Sequence, residues 1–429
     1  MHRVWIFLLV SVLVQPISAW AGEAPADGIV ASPEADWPQW RGKRRDGISS
    51  EKGLLAAWPK EGPALRWRID GLGRGWAAPI IVGGVLYVTG DIEDDLNVYA
   101  YDLDGELKWK TANGAAWKSP WGGARTSAAY SEGLIYLVNA HGRLAAIEAT
   151  TGKEKWAVNV LERFEARNGT WGVSESLLVH GSRVYVTPAG SKALMAALDK
   201  ETGKTVWTSE PLAKEQVSYC SPILFRYAGR RILSNCTSHH AFGVDADSGK
   251  ILWKVPVHGR WSVTCSTPVY EDGRIFYVTC DGPNGSQHRI HADENGVRSE
   301  LTWRTEVDTL TGGGILIKGR LYTNASKLSK ALHCLDWKTG KTLYRTQLSN
   351  ARSRWASAAM VWAEGRLYAF FENGTLALLV PGEKAFEVKG QFQVVNAKKG
   401  DAWGYPILHN GRLYVRYYDT LWCYDVAKP

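Results

Sequence analysis

The nine residues DKETGKTVW, Asp199 to Trp207, decide how the rest of this 429-residue chain is read. An acidic residue opens the stretch, a Thr-Gly-Lys turn follows, and an aromatic closes it. The Asp carboxylate can accept hydrogen bonds from the turn backbone, and the Gly can take a left-handed conformation. The Lys faces water, and the Trp offers a large apolar face to a neighbouring element. Seven such segments occur: LDGELKW ending at Trp109, EATTGKEKW at Trp156, DKETGKTVW at Trp207, DADSGKILW at Trp253, DENGVRSELTW at Trp303, DWKTGKTLY at Tyr344 and PGEKAF at Phe386. In six the Gly precedes the aromatic by four residues, whereas Gly296 precedes Trp303 by seven, which marks a local insertion.

A second motif alternates with the first, a Gly inside an alternating apolar stretch, usually with an aromatic three or four residues on. It appears at Gly84, Gly133, Gly181, Gly229, Gly273, Gly319, Gly365 and Gly411, at intervals of 44 to 49 residues. Such a pattern is a β-hairpin. Two hairpins per unit make a four-stranded blade, and a self-similar period above 40 residues is the signature of a propeller. Eight first hairpins meet only seven second ones. The chain ends on LWCYDVAKP, a third strand without a fourth, and ALRWRI around Trp67 is a fourth strand without a blade before it. The expected fold is therefore all-β, an eight-bladed propeller of four-stranded blades over residues 63–429, closed by the N-terminal strand, since closure removes the open edges of an open solenoid. Trp67, Trp109, Trp156, Trp207, Trp253, Trp303, Tyr344 and Phe386 are its expected docking aromatics.

Composition agrees with a repeated aromatic position: 21 Trp stand against 9 Phe and 3 Met, with 44 Gly. The net charge of +8 is spread over the chain rather than concentrated in a basic stripe, so no nucleic-acid partner is expected. Residues 1–21 read as a signal peptide, with Arg3, an apolar run from Val4 to Val14 and Ala19-Trp20-Ala21 at the cleavage point. Residues 22–36 read as a flexible linker and 37–62 as an N-terminal leader. No later stretch has the length of a transmembrane helix. The expected location is periplasmic or secreted, and the expected state a monomer.

The D-x-x-T-G-K-x-x-W unit resembles the tryptophan-docking repeat of the pyrroloquinoline-quinone (PQQ) type propellers, over about Trp67 to the end. That family includes quinoprotein dehydrogenases, the BamB subunit of the outer-membrane assembly machinery and exported propellers of unknown role. The leader WPQWRGKRRDGISSEKGL, Trp37 to Leu54, is similar to the opening of PQQ-binding-like propellers common in planctomycete-type bacteria. The dehydrogenases of the family carry a vicinal Cys-Cys pair, a calcium site of Glu, Asn and Asp, and a catalytic Asp. This sequence has no Cys-Cys dipeptide and no haem motif C-x-x-C-H. The resemblance thus implies fold, admits pyrroloquinoline quinone as cofactor, and leaves three functions in view: a ligand- or protein-binding propeller without a catalytic motif, a PQQ-dependent oxidoreductase, and a BamB-like scaffold for outer-membrane protein assembly.

In a propeller the segment before each innermost strand lines one mouth of the channel. That register holds Arg74 and Trp76, Trp121 and Arg125, Trp171 and Glu175, Tyr219, Arg260 and Trp261, Arg354 and Trp355, and Trp403. Aromatic faces with Arg forks suit an anionic small molecule, a glycan or an acidic protein loop. Packing into the channel and against neighbouring blades is the structural alternative, and Glu175 is the acid that shares the register. Cys220 with Cys236, and Cys265 with Cys280, are placed for cross-strand disulfides or, equally, as small buried side chains; Cys334 and Cys423 should be free. His288, His291 and Asp293, and the pair His239-His240, lack the spacing of a metal motif, so no metal is expected. The acidic run Asp91 to Asp95 reads as a solvated loop.

Overall fold

The computed structural model describes residues 36–217, 219–257, 263–280, 282, 285–294, 296–311, 313–325, 329–348, 357–397, 399 and 401–429. Their strands form eight four-stranded sheets. Seven blades use consecutive strands, within 80–115, 129–159, 178–208, 223–256, 269–305, 315–346 and 358–393. Blade 8 takes Ile407–His409, Arg412–Tyr417 and Thr420–Asp425 from the C-terminus and its outermost strand, Ala64–Ile69, from the N-terminal side. That strand pairs antiparallel with Thr420–Asp425, from Ala64 opposite Asp425 to Ile69 opposite Leu421, as the count of hairpins requires. The only helix among the described residues is the single turn Val160–Arg163, and none is long and apolar enough to cross a membrane.

Local chemistry sets each blade. The first hairpins turn on two left-handed residues, such as Glu132 and Gly133 at φ 47° and 84°, or Asn410 and Gly411 at 49° and 66°. This turn matches the right-handed twist of the strands it joins. Middle strands are sandwiched between neighbouring blades and buried throughout, as in Leu134–Val138, whereas the outermost Thr205–Thr208 is largely exposed. The apolar clusters accordingly bridge blades: Tyr136 and Leu144 of blade 2 share one core with Val184 and Leu198 of blade 3.

Five of the eight docking aromatics make one repeated bond, while Tyr344 and Phe386 meet ring to ring at 5.3 Å. The Trp67 indole Nε1 donates to the Leu103 carbonyl (2.9 Å), Trp109 to Ala149 (3.0 Å), Trp156 to Lys200 (2.9 Å), Trp207 to Ala246 (3.1 Å) and Trp303 to Trp337 (3.2 Å). Each acceptor follows the acidic residue of the next blade's turn. The turn itself is held by that acid: Asp199 Oδ1 accepts from the Thr202 N–H at 2.9 Å and its hydroxyl at 2.8 Å, which holds the carboxyl below its usual range. The turn Gly then lies against the indole. A Cβ on Gly203 would stand 2.6 Å from the Trp156 ring, and one on Gly249 2.6 Å from Trp207, so a side chain fits neither place.

Blade 5 carries the insertion read from Gly296 and shows its cost. Its outer hairpin, Gly285–Asp293 with Gly296–Thr305, is lengthened. Trp253 of blade 4 donates instead to the Tyr277 hydroxyl at 3.1 Å, and that hydroxyl meets Ser234 Oγ at 2.8 Å. The acidic run is also not a loop. Asp91 belongs to the strand Val85–Ile92 and Asp95 opens Asp95–Asp102, with only the turn between them.

Two measurements check this architecture. Trp207→Ala, read by urea denaturation, is expected to cost about 3 kcal/mol through lost packing against the next turn; a loss under about 1 kcal/mol contradicts the docking role. Deleting 63–70 strips blade 8 of its outer strand and is expected to give aggregation by exposing the edge of Thr420–Asp425. A truncated protein that stays monodisperse with its melting temperature unchanged contradicts the closure.

Candidate functional site

The leader fills the channel, a placement the sequence reading does not contain. Trp37 pairs with Ile81 of blade 1, and the Pro38 carbonyl accepts from Tyr130 N of blade 2. Trp40 Nε1 donates to Thr267 Oγ1 of blade 5 (3.0 Å), and its ring meets Tyr405 of blade 8 edge-on at 4.4 Å. Arg41 Nη2 donates to the Gly314 carbonyl before blade 6 (2.6 Å). Arg45 donates to the Ser176 and Leu177 carbonyls before blade 3 (2.7 and 2.9 Å), and Ser49 N to Trp362 O of blade 7. One segment reaches partners on seven blades only by lying across the axis. It leaves past the first hairpin turns: Gly53 and Leu54 donate to the Glu364 carboxylate, and Glu51 accepts from Asn410 and Gly411. Those turns lie at the end of the innermost strands opposite the aromatic register. Arg41 and Arg45 both hold left-handed backbones, at φ 59° and 58°, a strain of about 1 kcal/mol or more each that the guanidinium bonds to carbonyls offset.

At the end that carries the aromatic register, blades 8, 1 and 2 build one platform. Arg74 and Asp91 exchange two backbone hydrogen bonds (2.8 and 2.9 Å), Ala124 N donates to Arg74 O (3.0 Å), and Trp76 N to Ala124 O (2.8 Å). On this frame Trp403 stands 5.1 Å from Trp76 and 5.2 Å from Trp121 between ring centroids, and Tyr418 is 5.6 Å from Trp76. The Arg125 guanidinium lies over Trp76 at 5.3 Å and Trp117 at 5.8 Å; that of Arg74 lies over Tyr418 at 5.1 Å. Cation–π contact of this kind keeps a guanidinium in place without neutralising it.

Acids that the sequence reading does not assign to the mouth stand among these groups. Asp91 accepts from Trp117 N through Oδ2 (2.9 Å), and burial pushes its pKa up to about 6 against the opposing pull of Arg125 and Arg416. Arg416, fully buried, donates to the carbonyls of Gly73, Ala77, Thr89 and Tyr418, and burial lowers its pKa to about 10. Glu372 accepts from Trp403 Nε1 (3.1 Å), and burial drives its pKa well up. Asp401 accepts from the hydroxyls of Tyr417 and Tyr418. Sequence register finds the aromatics because they repeat; the acids come from a strand (Asp91), a hairpin turn (Glu372) and the segment before Ile407 (Asp401), and share no register.

The remaining expected residues divide. Trp171 and Tyr219 form a second aromatic pair, 5.6 Å apart and edge to face. Glu175 is not at the surface of the mouth: it is buried, accepts from Thr187 N (2.8 Å) and Oγ1 (2.9 Å), and burial raises its pKa to about 7 with Arg45 acting the other way. Arg260, Trp261, Arg354 and Trp355 lie outside the described residues. The structure places Cys220, Cys236 and Cys280 as small buried side chains, the second of the two readings. Cys220 and Cys280 donate to the Ser266 and Val263 carbonyls, and hydrogen bonding to Cys220 with burial pushes the Cys236 thiol up. His288 and His291 fall on opposite faces of one strand, as odd spacing demands, and His240 Nδ1 is engaged with Glu215 at 2.6 Å.

Trp76, Trp403 and Trp121 leave no slot for a flat cofactor between their own rings. Sandwiching a ring between two indoles needs about 7 Å between their faces. Trp76, Trp403 and Trp121 already touch, tilted by 40° and 52°. Among the described residues no three His, Cys, Asp or Glu side chains converge as a metal donor set.

The leader makes a stability prediction. Arg45→Met leaves the Ser176 and Leu177 carbonyls without their donor, and is expected to lower unfolding free energy by about 3 kcal/mol in denaturant titration. A change under about 0.5 kcal/mol would mean that the leader is not seated in the channel.

Comparison with known proteins agrees with the architecture. Among curated relatives, 1-butanol dehydrogenase (quinone) of Thauera butanivorans is 27% identical over 211 residues, 44% of this chain and 33% of its own. Quinohemoprotein alcohol dehydrogenase ADH-IIG of Pseudomonas putida is 32% identical over 155 residues, 34% of this chain and 21% of its own. The chain thus spans a third or less of the length of these relatives. Among solved structures, quinohemoprotein alcohol dehydrogenase of Comamonas testosteroni superposes with a TM-score of 0.61 at 13% identity, over 92% of this chain and 81% of that one. BamB of Moraxella catarrhalis superposes with a TM-score of 0.51 at 13% identity, over 79% and 93%. Those likenesses are of fold. Residues 44–116 and 112–346, more than half of the chain, match the PQQ-repeat family described as "Outer membrane protein assembly factor BamB", and this protein belongs to that family.

Proposed function

We propose that this chain is an exported propeller that binds an anionic ligand at the mouth formed by blades 8, 1 and 2, without catalysing a reaction on it. The observation that carries the reading is the pair Arg74 and Arg125, held over indole and phenol faces on a hydrogen-bonded frame. Aromatic faces and guanidinium groups gathered in one place favour capture of an anionic ligand. Export rests on the leader peptide read in residues 1–21. The family and the BamB structural likeness support a protein-binding capacity, with an acidic loop as the protein equivalent of the ligand.

Quinone-dependent alcohol oxidation is the second reading, favoured by the dehydrogenases among the sequence relatives. Purified protein mixed with pyrroloquinoline quinone and calcium separates the two. Dye-linked oxidation of an alcohol or sugar would overturn the binding reading; no turnover, with anion binding seen by indole fluorescence, supports it. Arg74→Ala combined with Arg125→Ala is expected to weaken that anion binding at least tenfold while the far-UV circular dichroism is unchanged. Undiminished binding in the double variant places the ligand elsewhere.

A further inference from the structure

The mouth holds more than positive charge. Beside the Arg125 guanidinium, three buried polar atoms have no hydrogen-bond partner: Asp91 Oδ1, Trp76 Nε1 and Arg125 Nε. They belong to segments locked to one another by backbone hydrogen bonds, so they cannot drift apart to find partners singly. Each such group costs about 1 to 3 kcal/mol while unmatched, and a fold retains that cost where a ligand removes it. One of the three is an acceptor and two are donors.

That mixture narrows the ligand. A plain carboxylate satisfies Arg125 and Arg74 but brings Asp91 Oδ1 nothing, because an anion has no proton to donate. A dianion would set a second negative charge near Asp91, whose carboxyl is already destabilised by burial. A flat heterocycle has no slot between indoles that already touch at 5.1 and 5.2 Å. A ring that carries one carboxylate and several hydroxyls meets every term. Hydroxyls donate to Asp91 Oδ1 and accept from Trp76 Nε1, and the C–H face of a pyranose lies against a single indole. Trp121, 37% exposed, offers such a face beside the half-buried Trp403.

We propose that the mouth recognises a hexuronate unit of an acidic saccharide, with Arg125 and Arg74 taking the carboxylate, Asp91 and Trp76 taking ring hydroxyls, and Trp121 stacking on the sugar. This rests on the anion-binding reading above and goes beyond it by making Asp91 the residue that separates a sugar acid from any other carboxylate. In the free protein Arg125 Nη2 bonds only the carbonyls of Pro120 and Trp121, its own adjoining loop. Drawing the guanidinium outward onto a carboxylate therefore breaks no hydrogen bond between blades; it exchanges the stack on Trp76 for the ligand and uncovers that indole face.

Calorimetry and indole fluorescence test it with four probes: oligogalacturonate, its methyl ester, a neutral galacto-oligosaccharide, and cyclohexanecarboxylate as a ring acid without hydroxyls. Oligogalacturonate is expected to bind at least tenfold more tightly than each of the other three. Asp91→Asn, which keeps the side-chain shape, is expected to erase the preference over cyclohexanecarboxylate, while Arg125→Ala weakens both acids alike. If oligogalacturonate is no tighter than cyclohexanecarboxylate, or Asp91→Asn keeps the preference, the saccharide assignment is overturned while the anion-binding reading survives on the Arg125 response. If neither acid binds, both fall. Should Asp91→Asn fail to fold, the four-probe series on the unaltered protein decides alone.

Discussion

The bond from an indole Nε1 to a carbonyl in the next blade's turn, made at five of the eight seams, is the directional contact on which the spacing of those blades depends. Neighbouring blades share no strand ladder; they touch through apolar faces, and apolar contact has no direction. A hydrogen bond worth about 1 kcal/mol net adds little to the total, yet it fixes one blade against the next at a single register. The turn Gly lets the backbone lie on the indole, and the turn acid organises the N–H groups so that the carbonyl points outward. Where blade 5 departs from the pattern, Trp253 does not lose its partner; it finds Tyr277 instead, so a long hairpin is tolerated.

A ring of near-equal blades still has one place that is unlike the others, the seam between blades 8 and 1. Ala64–Ile69 crosses it as a strand, and Trp67 docks onto blade 1 from it. Arg416 crosses it as a buried cation: from blade 8 its guanidinium reaches the carbonyls of Gly73, Ala77 and Thr89. A buried arginine is tolerated only when its donors are matched, and here backbone oxygen from across the seam matches them. The leader adds a third tie, because Trp37 pairs on blade 1 while Leu54 pairs with Ala427 beyond blade 8.

Periodic features were legible in the chain and aperiodic ones were not. Gly84 to Gly411 and Trp109 to Phe386 recur at a fixed interval, so blade number, strand count and closure follow from spacing alone. The mouth aromatics share a register for the same reason, and Trp76, Trp121 and Trp403 do meet. Arg41 and Arg45 sit in RGKRRDG, a stretch whose charge suggests solvent, and their carbonyl partners Gly314 and Ser176 lie far along the chain. Asp91 was hidden among neighbours: in DIEDD it is the one carboxylate tied to Trp117 N, while Asp94 and Asp95 are exposed. Cys220 and Cys236 lie within hydrogen-bond reach of each other, and the Cys220 thiol donates to Ser266 O.

The seam also explains why the mouth is chemically lopsided. Repetition alone would give each blade the same contribution, and binding specificity needs unlike groups close together. At the seam the segments that carry Arg74, Trp76 and Asp91 are flanked by Gly73, Ala77 and Thr89, whose carbonyls Arg416 holds. The cation that completes closure therefore sets the spacing of the groups that face a ligand, and its charge is felt at Asp91. Closure and recognition share one set of contacts, so the mouth is most rigid where its chemistry is most varied. A ligand that engages Asp91 and Arg125 would bridge blades 1 and 2 beside that seam and strengthen the same joint from the outside.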